Sequence, residues 1–134
     1  MAHPIDAYRK TQAETINPLR LVIMCYEAIV KDLQEAKRLH KERNIEASYD
    51  KVRHAQDIIT ELLVGLDYEQ GGEIAVNLGR IYNFVLRQLI GVNTRTSPEY
   101  YDPLIKIMSE LKEAWEQISR QTPSQPPRPG SVTA

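Results

Sequence analysis

Apolar side chains recur along most of this chain at the three- and four-residue spacing of an α-helix, broken by short polar stretches. The densest run is NPLRLVIMCYEAIV, from Asn17 to Val30. Asn17 suits an N-cap and Pro18 the first turn behind it, where a missing N–H costs nothing. At 100° per residue, Leu19, Val22, Ile23, Tyr26, Ile29, Val30 and Leu33 share one broad sector. Leu21, Met24, Cys25 and Ala28 share a second, and Arg20, Glu27 and Lys31 mark the wet strip. One apolar sector serves a core; the other is surplus. The pattern predicts a first helix from Pro18 to about Lys41, whose closing basic residues complement the helix dipole.

A short link at Glu42 to Asn44 leads to a second predicted helix, about Ile45 to Leu66. Its line is Ile45, Tyr49, Val52, Gln56, Ile59, Leu63 and Leu66, widened on one side by Ala55, Ile58 and Leu62. DYEQGG, Asp67 to Gly72, reads as a turn, because paired glycines supply left-handed backbone. A third helix is expected from about Glu73 to Asn93. Ile74, Leu78, Ile81, Tyr82, Val85, Leu89 and Val92 form its core side; Gly79, Leu86 and Ile90 form a second apolar line, with Phe84 on neither. Ser97-Pro98 repeats the cap-and-proline pattern, and Pro103 demands a kink or restart. Beyond it Leu104, Met108, Leu111, Trp115 and Ile118 make one stripe that ends near Arg120, with Trp115 as a core anchor.

Short links make neighbouring helices antiparallel. The fold class is therefore all-α, an antiparallel four-helix bundle over residues 17–121. A short helical lead, residues 1–16, precedes it. Residues 122–134, TPSQPPRPGSVTA, hold four of the eight prolines and read as a disordered tail rather than a polyproline ligand.

Composition narrows the function by exclusion. A net charge of −1 with interspersed signs offers no basic field for nucleic acid and no polybasic membrane patch. Cys25 is the single cysteine, which fits a reducing compartment. No signal-peptide pattern opens the chain, and no apolar run approaches the ~20 residues of a membrane span. A cytoplasmic protein is the expectation. Asp50, His54 and Asp57 form one local cluster without the second copy a dimetal bundle needs, so a solvated charged face is preferred to a metal site. Cys25 sits mid-helix without a neighbouring base, and the glycine pair lacks the Walker spacing. No cofactor, metal or catalytic constellation is expected.

What stands out is apolar surface beyond one core's needs: Leu21, Met24, Cys25 and Ala28 on the first helix, Ile58 and Leu62 on the second, Leu86 and Ile90 on the third. Three readings fit such surface: a central helix touched on several sides within an ordinary bundle, a groove for an amphipathic helix from a partner, or a homodimer seam with a second copy of the chain.

These residues resemble one known family, the flagellin-specific export chaperones of FliS type. The strongest block is AQDIITELLVGLDYEQGGEIAVNLGRIYNFVLRQL, Ala55 to Leu89, supported by Ala7-Tyr8, by PLRLVIMCY from Pro18 to Tyr26, and by Ala114-Trp115. The chain departs from the family in Asn17 before the proline, in Glu27-Ala28 after Tyr26, and in Pro98 and Pro103. The resemblance implies a cytoplasmic bundle that holds the disordered C-terminal region of flagellin in apolar grooves, prevents premature polymerisation and presents the subunit to the cytoplasmic domain of the export gate. It also implies that Ile5 and Tyr8 belong to a lead that covers a groove or docks at the gate. An anti-sigma factor or co-chaperone is left open as a further partner.

Overall fold

The computed structural model describes residues 17–121. Helix α1 spans Pro18–Lys41. The Asn17 side chain accepts the Arg20 N–H at 2.7 Å, and Pro18 fills the first turn as expected. The helix ends in a Schellman reversal: Arg43 N–H bonds His40 O at 3.0 Å and Asn44 N–H bonds Leu39 O at 2.9 Å. Arg43 takes the left-handed conformation, φ 64°, usually left to glycine. Asn44 then caps α2, Ile45–Val64.

The next reversal differs from expectation. The glycine pair is not the turn. The chain reverses over residues 65–67, and α3 spans Tyr68–Ile90, with the Asp67 carboxylate accepting the Gln70 N–H at 3.0 Å. Gly72 lies inside α3 as a kink at φ 53°, ψ −129°, so residues 68–71 form a separate first turn. A side chain at Gly71 would meet Ala75 Cβ at 2.8 Å. The local capping bond of Asp67 starts a helix, and the glycines relieve its geometry. Ser97 and Pro98 open a 3-10 turn, Pro98–Tyr101, which runs into α4, Asp102–Gln121. Pro103 thus falls in the first turn of α4, the restart its sequence demanded.

Helix α1 packs along both α2 and α4, and α3 lies along α2. The lateral order is α3–α2–α1–α4, antiparallel between neighbours, with α3 and α4 as the two outer helices. Their backbones scarcely approach each other. The core is Tyr26, Ile29, Leu33 and Ala36 of α1, Val52, Ala55, Ile58 and Ile59 of α2, Tyr82, Val85 and Leu89 of α3, and Leu104 and Met108 of α4. Small residues let α1 and α2 come close: the Ser48 hydroxyl donates to the Ala36 carbonyl at 2.8 Å. At the same end Tyr101, fully buried, places its hydroxyl 3.1 Å from His40 Nδ1 and 3.3 Å from Ser48 Oγ. Lys37 and Asp102 add an ion pair at 2.8 Å between α1 and α4.

Candidate functional site

The apolar positions singled out above divide into two faces of the molecule and a buried remainder. On α1, Leu21, Met24 and Ala28 are half-buried along the edge beside α2, and Leu62 is half-buried on α2. Cys25 and Ile58 correct the expectation. They are 2% and 1% exposed, belong to the core and cannot line an open groove in this conformation. Each lies one step further round its helix than its half-buried neighbours, on the side where α1 and α2 press together.

The edge beside Leu21, Met24 and Ala28 runs on to Asp32, which the sequence reading did not single out. Its buried carboxylate pairs with His54 Nδ1 of α2. Burial lifts the Asp32 carboxyl above the ordinary carboxylate range, against the hydrogen bond and charge of His54 that pull it down. His54 therefore works across the helix pair. Asp50 is engaged by Arg53, and among the described residues no three His, Cys, Asp or Glu side chains gather as a metal site. Only knowledge of how two helices are registered reveals the Asp32–His54 pair, and periodicity along one helix contains no such signal.

Leu86 and Ile90 do not join Leu21 and Met24. They lie on α3, beyond the exposed ridge of α2 made by Arg53, Asp57, Thr60 and Val64. Leu86 is half-buried, whereas Ile90 is 76% exposed. Ile5 and Tyr8 lie outside the described residues.

The third apolar surface was missed. Between α3 and α4 a cleft of about 420 Å³ is lined by Arg80, Ile81, Phe84, Ile107, Glu110 and Leu111. Phe84 is 41% exposed, and Ile74, expected in the core, is 69% exposed on the same wall. The reason is geometric: that flank of α3 faces α4, and α4 stays away. Seven residues separate Ile74 from Ile81, and seven separate Leu111 from Ile118, so on antiparallel helices the apolar walls continue together below the cleft for about 10 Å. Ile118 is 45% exposed. The sequence did carry this line, since Ile74, Ile81 and Phe84 stand at i, i+7 and i+10, but it was divided between a core side and an outlier.

Beneath the cleft the three helices are tied by hydroxyls. Trp115 Nε1–H of α4 donates to the Tyr26 hydroxyl of α1 at 3.1 Å, and that hydroxyl also bonds the Tyr82 hydroxyl of α3. Trp115 is half-buried against the core, as an anchor should be. Burial pushes both tyrosines above the ordinary phenol range, so they remain neutral partners. The arrangement can receive apolar side chains over a floor whose indole N–H and two tyrosine hydroxyls are already paired. Among the described residues no helix is long and apolar enough to cross a membrane.

Comparison with known proteins follows the same direction. The model of the family described as flagellar protein FliS matches residues 1–122. The flagellar secretion chaperone FliS of Vibrio cholerae serotype O1 is 32% identical over 122 residues, covering 88% of this chain and 90% of that protein. The protein of the same name from Salmonella typhimurium is 31% identical over 123 residues, covering 88% and 91%. That of Bacillus subtilis is 24% identical over 115 residues, covering 86% and 85%.

Proposed function

The chain belongs to the FliS family of flagellar proteins, whose relatives are flagellar secretion chaperones, and from that premise we propose that its client is the disordered C-terminal region of flagellin. In this reading the client segment lies partly helical over the half-buried apolar positions Leu21, Met24, Ala28, Leu62 and Leu86 and the exposed Ile90. Binding in the cytoplasm keeps flagellin from polymerising, and the complex is presented to the cytoplasmic domain of the export gate, with Ile5 and Tyr8 serving as groove cover or gate contact. The observation that carries the reading is apolar surface left uncovered by the folded chain, Ile90 above all. A disordered client loses conformational entropy when it is ordered, and only extended apolar burial offsets that cost. No nucleotide, metal or chemical step enters.

Calorimetry with a C-terminal flagellin segment tests it. Leu21→Asp, Met24→Asp and Ile90→Asp each leave a helical, folded protein and remove about 1.5–3 kcal/mol of burial, roughly a 10- to 100-fold loss of affinity. Unchanged affinity in all three, with folding intact, removes these positions from the client surface. Exposed apolar positions also suit a homodimer seam. Sedimentation over a concentration series separates the readings, since a persistent monomer that binds the client excludes self-association as the role of these residues.

A further inference from the structure

The first turn of α3 is set apart from the rest of that helix, and it lays an aromatic ring across the end of an apolar row. We propose that residues 65–71 form a flap hinged at Gly72. Tyr68 on this flap is a built-in plug for the α2–α3 groove, seated over Gly79 in the closed chain and swung aside to admit the client.

The flap is a unit by its own bonds. The Asp67 carboxylate accepts the Gln70 N–H at 3.0 Å, and the Asp67 carbonyl accepts the Gly71 N–H at 2.7 Å, so the turn is closed on itself. Gly72, at φ 53° and ψ −129°, then breaks the helical course in a conformation that residues with a side chain rarely adopt. Closure depends on glycine at two further points. A Cβ at Gly71 would come within 2.8 Å of Ala75 Cβ, and one at Gly79 would stand 3.2 Å from the Tyr68 hydroxyl oxygen. Three of the chain's six glycines thus bring this ring down onto α3.

The seat continues the client surface. Gly79, Leu86 and Ile90 fall within about 40° of one line along α3, and Leu86 lies two turns, about 10 Å, beyond Gly79. Leu63 and Leu66 of the α2 side wall the seat, their Cδ1 atoms 3.9 and 3.5 Å from where a Gly79 Cβ would stand. The seat is therefore an apolar hollow at one end of a row whose other end, Ile90, is open to water. Tyr68 fills it from one side only and stays 52% exposed. A large apolar side chain of a helical client, continuing the row from Leu86, takes over the contacts that the ring gives up, and the phenol returns to water. That exchange rests on the function proposed above; the hinged flap does not.

The test begins with the full-length chain and no client. Nuclear Overhauser contacts from the Tyr68 ring to the Gly79 α-protons and to the Leu63 and Leu66 methyls mark the closed flap. Gly72→Ala, which puts a side chain at positive φ, removes these contacts and leaves those between Tyr26 and Tyr82 intact. Contacts that survive undiminished overturn the hinge, and loss of the Tyr26–Tyr82 contacts with them overturns the independence of the flap. In the native sequence, the Gln70 and Gly71 amides exchange with solvent at rates that low urea leaves unchanged, whereas those of Tyr82 and Val85 rise with urea. A parallel rise at all four also overturns the flap. The plug is read by titration with a C-terminal flagellin segment. Tyr68→Ala tightens binding by up to about tenfold, the gain expected where the open form holds about a tenth of the population. Gly79→Leu, which fills the seat permanently, weakens it. Unchanged or weaker binding in Tyr68→Ala overturns the plug, and tighter binding in Gly79→Leu overturns the seat. Absence of binding by the native chain and by both variants, with the client-free pattern intact, removes the client and leaves the hinged flap standing.

Discussion

The seams α1–α2 and α3–α4 both join antiparallel helices with apolar facing sides, and they close to different extents. Along α1–α2 the contact residues include Ala36, Ser48 and Ala55, small enough for a hydroxyl of one helix to bond a main-chain carbonyl of the other. Along α3–α4 the facing residues are Ile81, Phe84, Ile107 and Leu111, and they enclose open volume. Two surfaces of similar greasiness thus do different work: one is scaffold, and the other is surface held ready. Side-chain size at the contact decides which, because it sets how near the backbones can come.

The contrast can be broken most forcefully by truncating one isoleucine on each side. Ile59→Ala, at a fully buried position, should cost about 2–5 kcal/mol in urea denaturation, the range for cavities in closed cores. Ile74→Ala, on the open wall, should stay within about 0.5 kcal/mol. A comparable loss at Ile74 would mean that α4 covers it and that the seam is closed. A smaller effect is expected where the two regions meet. Tyr26→Phe leaves both the Trp115 N–H and the Tyr82 hydroxyl without their partner and should cost about 1–3 kcal/mol. A neutral outcome would show that α4 does not depend on this link.

The smallest effect lies on the closed seam and depends on pH. Burial raises the Asp32 carboxyl, so the folded state holds that proton more tightly than the unfolded chain does. The linkage therefore favours folding in acid and is lost as pH rises from the ordinary carboxylate range through the raised value. Asp32→Asn should increase the urea midpoint modestly at neutral pH and leave it unchanged well below that range. A lower midpoint at neutral pH would show that the bond to His54 outweighs the cost of burial.

Much of the scaffold was legible because its signals are local. Asn17-Pro18 and Ser97-Pro98 start helical segments through bonds made within three residues, and such chemistry is written in the sequence. The same locality decides the second reversal: Asp67, whose side chain captures Gln70 N–H, is a stronger helix signal than the glycine pair is a turn signal, so the helix starts before the glycines. The candidate surfaces were less legible because a helical wheel reports the character of a face and not the distance to its neighbour. Met24 and Cys25 are adjacent in sequence, yet one lies at the margin of the α1–α2 contact and the other inside it. Ile74 and Tyr82 shared a predicted face, but only Tyr82 finds another helix against it.

The position of Trp115 has a practical result. It is the chain's one tryptophan, and its indole nitrogen is fixed to Tyr26 under the open cleft, half in water and half against the interior. Light emitted by an indole shifts in colour with the wetness of its surroundings. Arrival or departure of any strand along that side of the molecule can therefore be followed in the unmodified protein, in real time and without a dye.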